Sequence, residues 1–366
     1  MEYKFDQIAF NSTAKKLPEE SDRQHYIGLE HLDTNSLFVS RWGSDVTPVG
    51  EKLLMKKGDV LFGKRRAYQR KVGIAPFDGI FSAHGMVLRP KENVMDKDFF
   101  PFFITSDQFM ERAVRISVGG LSPTINWKDL KEQVFEIPSL EEQKALAAKL
   151  WAAYKLREDY KRLLTATDEM VKSRFIAHFL NASYDKKRLG EVCCVISGKT
   201  IDLALENEGG QIAYLKVADL NLAENDRVVT ASSRYVSEQT ALTSGLVPIG
   251  ATIFPKNGAA ALHNKKRITS IITCVDMNTM AVYSKSDTVK PEYLYAFLES
   301  QDLASLALVG AIPQIRAKDV QALMIPVPNV EEQEEYITMM HQADKSKFEL
   351  KQAIEKIDKV MRSMLQ

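Results

Sequence analysis

The sequence predicts an α/β (α+β) protein built from two copies of one α/β unit, each followed by a long helix. Two observations support this fold class. The block at residues 120–143 repeats at 310–333, a shift of 190 residues without a gap. Short runs rich in β-branched and aromatic residues precede each block, and a charged segment without Gly or Pro follows it. The predicted order is therefore domain, helix, domain, helix.

Length and composition limit the classes of protein. A chain of 366 residues is long enough for two domains with separate cores. No apolar run approaches about 18 residues, and the N-terminus lacks the pattern of a signal peptide, so neither a membrane span nor a leader is expected. The 3 cysteines do not have the spacing of a disulfide framework or a zinc site. Because the net charge is +1, any affinity for nucleic acid must come from local basic patches.

The two predicted domains occupy residues 1–138 and 183–328. Strands are expected at "DVLFG" and "GMVLRP" in the first domain, and at "ATIFP" and "SIITCV" in the second. A helix packed on the strands is expected at "DFFPFFITSDQFMERAV" and at "PEYLYAFLESQDLASLAL". The matched order of these segments indicates that the second domain repeats the architecture of the first.

The two long helices are predicted at residues 139–182 and 329–366. Ser139 and Asn329 stand at the N-cap position, and Glu142 and Glu332 follow three residues later, as in a capping box. Apolar residues at steps of three and four predict one stripe on each helix: Leu150, Tyr154, Leu164, Val171 and Phe175 in the first, and Ile354, Ile357, Met361 and Met364 in the second. We expect the helices to pair through these stripes. The alternative is an ordinary helix whose stripe faces a domain core.

Catalytic motifs are missing from the sequence. The "SGKT" at 197–200 lacks the glycine that a phosphate loop needs four residues before its Gly-Lys pair, since Cys193 stands there. There is no dinucleotide fingerprint, nucleophile elbow, His-Glu-x-x-His motif or Asp/Asn-Pro-Pro-aromatic tetrapeptide. We therefore expect no enzyme activity, no metal and no cofactor in this chain.

Two basic loops are the main candidates for DNA contact. The predicted residues of the first copy are Lys64, Arg65, Arg66, Tyr68, Gln69, Arg70 and Lys71, together with His84. Those of the second copy are Lys256, Asn257, His263, Asn264, Lys265, Lys266 and Arg267. Lys and Arg neutralise phosphates, while Arg, Asn and Gln can pair with base edges. The alternative is a solvated surface, but loops that differ within a repeated framework are expected if each reads different bases.

A second candidate surface precedes each long helix, at residues 117–130 and 308–320. Gly119, Gly120 and Gly310 allow close approach of the backbone to a partner. The side chains that could bind phosphates are Thr124, Asn126 and Lys128 in the first copy and Gln314, Arg316 and Lys318 in the second. The alternative is a turn that only leads the chain into the last strand of each domain.

The pattern resembles the specificity subunit of type I restriction-modification systems. The resemblance lies in two α/β domains that each end in a Pro-x-x-Glu-Glu-Gln helix start, at 138–143 and 328–333, and it covers essentially the whole chain. The segment "RLGEVCCVISGKT" is also similar to the usual opening of a recognition domain in that family, and "YKFDQIAFNSTAKKLP" is less similar to it.

The resemblance implies a division of labour among subunits. Each domain would be a target-recognition domain that reads one half of a bipartite, asymmetric site in double-stranded DNA. The long helices would form an antiparallel coiled coil, set the spacing of the half-sites, and recruit two modification subunits. Those subunits would carry S-adenosylmethionine and methylate adenine, and restriction subunits would join them in the cytoplasm of a prokaryote. The alternatives are a coiled-coil scaffold without sequence-specific DNA contact, and an enzyme with an unrecognised site.

Overall fold

A computed structural model describes residues 1–206, 209–308, 310 and 312–366. The chain divides into two compact units, Met1–Lys161 with Lys351–Gln366, and Arg162–Leu350. Each unit contains one globular domain and part of each long helix. Within the described residues, no helix is both long enough and apolar enough to cross a membrane.

The first unit contains short strands arranged in three sheets. The strands are β1 (Glu2–Lys4), β2 (Ala9–Ser12), β3 (Lys15–Lys16), β4 (Tyr26–Ile27), β5 (Lys52–Met55), β6 (Val60–Phe62), β7 (Val72–Ile74), β8 (Gly79–Phe81), β9 (Met86–Pro90) and β10 (Val134–Glu136). The sheet orders are β2-β9-β6-β7, β3-β5-β8-β4 and β1-β10. All pairs are antiparallel except β4 with β8.

The helices of the first unit close an aromatic core. They are α1 (Phe5–Ile8), α2 (Phe100–Thr105), α3 (Asp107–Arg115), α4 (Trp127–Leu130) and the first part of α5 (Leu140–Phe175). The single helix predicted near residues 98–114 is two helices, because the Ser106 hydroxyl accepts a hydrogen bond from the Phe109 amide and starts a new helix there. Phe109 stacks on Phe135, and Phe5 packs against both rings.

The second unit repeats this plan. Its strands are β11 (Lys186–Arg188), β12 (Cys193–Ser197), β13 (Ile212–Leu215), β14 (Val228–Val229), β15 (Tyr235–Val236), β16 (Leu246–Val247), β17 (Thr252–Pro255), β18 (Arg267–Thr269), β19 (Thr273–Val275), β20 (Thr279–Ser284) and β21 (Met324–Pro326). The sheet orders are β12-β20-β17-β18-β14, β15-β13-β19-β16 and β11-β21. The run β12-β20-β17-β18 corresponds to β2-β9-β6-β7, and β11-β21 corresponds to β1-β10. The sequence repeat is therefore a repeat of sheet topology.

Helices complete the second unit. They are α6 (Leu189–Val192), α7 (Glu238–Ser244), α8 (Pro291–Ser300), α9 (Ala317–Gln321) and α10 (Val330–Met364), which ends in the first unit. The helix predicted from residue 291 ends at Ser300, and a 3₁₀ turn at Leu303–Leu306 follows. The expectation of two long helices is confirmed, with α5 continuing into a π-helical turn at Ile176–Leu180.

Each long helix is attached to its domain by the glutamine of the Glu-Glu-Gln segment. Gln143 is fully buried, accepts a hydrogen bond from the Asp96 amide at 2.8 Å, and donates to the carbonyl oxygens of Val94 and Pro138. Gln333 does the same with the Lys290 amide and two carbonyl oxygens. The glutamate before each glutamine serves the helix start: Glu142 and Ser139 form a reciprocal capping box, and Asn329 caps the Glu332 amide.

The long helices pack on each other and on the domain within each unit. In the first unit Leu150 and Tyr154 join one core with Met361, against which Ile357 and Met364 also pack. In the second unit the core of Phe175 and Phe179 contains Tyr336 and Met340, with Val171 packed against it. The contacts run antiparallel in each unit, since residues later in α5 meet residues earlier in α10. Leu164 and Ile354 are half-buried.

Candidate nucleic-acid interface

The first basic loop forms a tight turn directly after β6. Arg66 and Arg70 adopt left-handed backbone conformations, with φ of 56° and 51°, on either side of a 3₁₀ turn at Ala67–Gln69. Ala67 is buried beneath this turn. As a result, Arg65, Arg66 and Tyr68 project into solvent, whereas the other predicted side chains of the loop are half-buried.

A hairpin from the second candidate surface lies on this loop. The Val118 and Thr124 backbones exchange hydrogen bonds of 3.0 and 2.9 Å, and Thr124 also forms a β-bridge with Arg65. The Arg66 amide donates to the Pro123 carbonyl at 2.8 Å, and the Arg66 Nε donates to the Ser122 hydroxyl at 3.2 Å. The two surfaces that the sequence presented separately are therefore one surface.

The second unit has the same arrangement at the equivalent backbone positions. Asn257 forms a β-bridge with Gln314, and the Gly258 amide donates to the Pro313 carbonyl at 2.8 Å. The amide of Ile315 donates to the Lys256 carbonyl at 2.8 Å, as that of Ile125 does to Lys64 at 3.0 Å. Val309 and Ala311 lie outside the described residues.

Different side chains occupy this shared framework. Arg65 of the first unit corresponds to Asn257, Arg66 to Gly258 and Thr124 to Gln314. In the second unit the Gln314 amide donates to Asn257 Oδ1 at 3.1 Å, and the Asn257 amide donates to Asn278 Oδ1 at 3.2 Å. The first surface is thus cationic, while the second is a cluster of amides.

Some predicted side chains of the first unit have partners within the chain. Arg70 forms an ion pair with Asp107 at 2.5 Å, and the Lys71 ammonium donates to the Leu29 carbonyl at 2.7 Å. Burial lowers the pKa of Lys64, and the nearby charge of Lys15 adds to this shift. His84 is exposed, and its carbonyl accepts from the Arg65 amide.

The second basic loop is largely occupied by internal contacts. Lys266 is only 2% exposed, and its ammonium donates to Asn264 Oδ1 at 2.9 Å and to the Gln301 carbonyl at 3.0 Å. Burial lowers the pKa of Lys266 to about 8. Arg267 donates to the Asn225 carbonyl, and Lys265 to the Asn221 side chain. In this conformation, therefore, Lys266 cannot present its ammonium to a phosphate. His263 is exposed.

Among the residues that lead into the last strand of each domain, some side chains are exposed and others are paired within the chain. Lys128 and Lys318 are exposed at equivalent positions. The Arg316 guanidinium makes two contacts with the Asp319 carboxylate, at 2.7 and 3.0 Å, and this hydrogen-bonded ion pair raises the pKa of Arg316. Asn126 faces Asp129 at 3.4 Å.

Two contributors to the surface were not predicted from the sequence. Ser122 fixes the Arg66 guanidinium, and Asn278 holds Asn257 while donating to Asp276 at 3.1 Å. A signal for Asn278 was present, since "NTMAV" at 278–282 is the counterpart of "HGMVL" at 84–88, which begins with the predicted residue His84.

Other reactive side chains are distributed through the cores. Cys193 and Cys274 are buried, and burial raises the pKa of each thiol to about 12. Within the part of the chain that the structure describes, no group of three or more His, Cys, Asp or Glu residues has the geometry to hold a metal ion.

Comparisons with known proteins agree with this architecture. The family model for the type I restriction modification DNA specificity domain matches residues 11–162 and 181–359. The chain is similar to a structure from work on "complex assembly and conformational transition of the type I R-M system", with 18% identity, a TM-score of 0.64, and coverage of 100% of this chain and 96% of that chain. It is also similar to the S subunit of a type I restriction-modification system from M. genitalium, with 14% identity, a TM-score of 0.54, and coverage of 100% and 94%. A search of curated proteins gives no match.

At these identities the solved structures bear on the fold alone, and they confirm the expectation of two repeated domains with long helices. The family model carries the assignment, because it matches both repeats and most of the chain. The chain belongs to the type I restriction modification DNA specificity domain family.

Proposed function

We propose that this chain is the DNA-reading subunit of a type I restriction-modification complex, in which each unit reads one half of a bipartite, asymmetric target. The observation that carries the proposal is the repeated loop-and-hairpin framework with different side chains at equivalent positions. A subunit that reads two unlike half-sites needs this combination, because the fold must place each loop in the same way while the side chains select different bases.

The side chains suggest what each half-site contains. An exposed Arg65 suits a bidentate contact with the O6 and N7 atoms of guanine. The exposed amide of Gln314 suits the N6 and N7 atoms of adenine, and Asn257 holds that amide in place. We therefore expect the half-site of the first unit to depend on a guanine and that of the second unit to depend on an adenine.

The long helices are proposed to hold two modification subunits, which supply S-adenosylmethionine and the methyl transfer to adenine. Leu163 and Met170 support this, because they lie one heptad apart on α5 in the second unit and remain 50% and 52% exposed although both are apolar. Restriction subunits would join this core. The chain itself would contribute recognition and no catalytic step.

Mapping of methylated adenines tests the reading function directly. A genome that carries this chain and its modification subunit should show one two-part motif, and Arg65→Ala should relax its guanine-containing half only. The matched control is Lys97→Ala, a change of an exposed cation elsewhere in the first unit. An unchanged motif in Arg65→Ala, or loss of both halves together, contradicts the assignment of Arg65 to one half-site.

A scaffold without specific DNA contact is the second candidate, and the internal pairing of Arg70, Lys266 and Arg316 favours it. Binding to random duplexes at several salt concentrations separates the two. For a DNA reader, the logarithm of the affinity falls by roughly 0.9 per phosphate contact for each tenfold rise in salt. A scaffold gives no such slope.

A further inference from the structure

Apolar side chains on the hairpin of each unit are exposed to solvent. Leu121 is 98% exposed in the first unit and Ile312 is 69% exposed in the second. Val118 and Leu308, at the equivalent bases of the hairpins, are 57% and 45% exposed. A single exposed leucine is ordinary on a protein surface. By the shift of 190 residues Ile312 is the counterpart of Ser122, so the apolar exposure that both repeats share is the one at the hairpin base, at Val118 and Leu308. Leu121 differs from a scattered surface leucine because its hairpin is bonded to the loop that carries Arg65 and Arg66.

The hairpin holds its tip away from the domain. Gly119 has φ of +115°, a conformation that side chains rarely adopt, and a Cβ added at Gly120 would meet no atom within 4 Å. The paired backbones of Val118 and Thr124 fix the base of the hairpin. Leu121 therefore projects from a fixed support.

The surroundings of the tip are those of a DNA-binding surface. The Arg66 guanidinium contacts Ser122, the residue next to Leu121, and Arg65 pairs with Thr124 on the same hairpin. Cations at this place would neutralise phosphates on either side of a groove while the tip enters it. This charge complementarity identifies the occupant as duplex DNA rather than an apolar protein surface.

We propose that Leu121 is a specificity-determining residue that inserts into a DNA groove and buries its side chain against bases. The inference rests on the proposed DNA-reading function. Proteins insert apolar side chains between base steps, and apolar groups also contact the methyl group of thymine. Both modes use the same chemistry, which is an apolar side chain against the apolar face of a base.

The test uses the full chain assembled with its modification subunits. The probes are a duplex carrying the motif mapped for the wild type and a random duplex of equal length. Leu121→Ala should weaken binding to the motif roughly 10- to 100-fold, the range expected for one leucine side chain left in water. Its affinity for random DNA and its salt slope should match the wild type. Leu17→Ala removes another exposed leucine, 68% exposed, from the same unit and should change neither affinity.

Two arms distinguish the modes of contact. If Leu121 touches a thymine methyl group, replacing thymine by uracil in the half-site weakens the wild type but not Leu121→Ala. If Leu121 opens a base step, 2-aminopurine placed away from the methylated adenine brightens with the wild type and stays dim with Leu121→Ala. The proposal is overturned if Leu121→Ala binds the motif as Leu17→Ala does, or if it loses modification subunits instead of DNA. Failure of the reading function itself would appear differently, as a wild type with no preference for the motif and no salt slope.

Discussion

Replacement of Gln143 by leucine should destabilise the first unit strongly, although the residue touches no predicted DNA-binding side chain. Gln143 is fully buried and makes three hydrogen bonds of 2.8–3.0 Å, to the Asp96 amide and to the carbonyl oxygens of Val94 and Pro138. Leucine has a similar size and helix propensity, so the substitution removes the hydrogen bonds without opening a large cavity or weakening the helix.

The magnitude follows from the lost contacts. A net contribution of about 1 kcal/mol per hydrogen bond gives about 3 kcal/mol, and the cost of buried groups left without partners raises the total towards about 5 kcal/mol. Domains of this kind unfold with a free energy of about 5–15 kcal/mol, so the change removes a large share of it. The neighbouring Glu141→Ala, at an exposed site in the same segment, should stay within about 0.5 kcal/mol of the wild type.

Tryptophan fluorescence during urea unfolding measures this effect in one unit. The 3 tryptophans of the chain, Trp42, Trp127 and Trp151, all belong to the first unit. Trp151 packs against Phe102 beside the helix start, so its signal reports loss of that contact. If Gln143→Leu unfolds at the same urea concentration as Glu141→Ala, the glutamine does not anchor the helix and the reasoning is wrong.

Three further perturbations test the other sites. Arg66→Ala should reduce the salt slope of DNA binding by roughly 1, because one phosphate contact is lost, and an unchanged slope would contradict its role. Ile357→Glu with Met361→Glu should separate the helices of the first unit and release a modification subunit; an intact complex on size-exclusion chromatography would show that the pair is not needed. Lys266→Met should alter the pH dependence of stability. Because burial lowers the pKa of Lys266 to about 8 and an exposed lysine titrates near 10.4, the folded chain binds fewer protons between these values. The free energy of unfolding of the wild type should therefore rise, relative to Lys266→Met, from about pH 8 to about pH 10, and parallel curves from urea titrations would refute this.

The features that follow from local sequence were predictable. Pro138 and Ser139 predict the start of the first long helix, and Pro328 and Asn329 predict the start of the second at Val330. These signals are local, because a cap or a proline acts within a few residues. The seam of α10 was predicted only from Ile354 onwards. The same spacing of three and four extends upstream through Tyr336 and Met340, which are both buried. The signal was therefore present in the sequence, and the predicted stripe began too far along the helix.

The features that depend on distant segments were not predictable. Nothing near Arg70 in the sequence indicates Asp107 as its partner, and nothing near Lys266 indicates that Gln301 covers it. Hydrophobic periodicity reports which face of an element is buried, but it does not report which loops meet. For this reason composition marked the basic loops as candidates without distinguishing the cations that face solvent from those already paired.

The charged residues within the helix seam explain how the long helices hold one register. Arg157 stands at a seam position, is 8% exposed at its side chain, and meets Asp358 at 3.0 Å in the first unit. In the second unit Lys347 meets Asp168 at 2.6 Å. A slip of one heptad would keep apolar residues facing apolar residues, but it would move Asp358 away and leave a buried guanidinium without that partner. Arg157 would keep its contact with Glu158 at 2.9 Å, so the slip loses one charged hydrogen bond, worth about 1.5–3 kcal/mol. The apolar residues therefore make the helices pair, and the ion pairs make them pair in one way, as the proposed reading of a target with a fixed spacer requires.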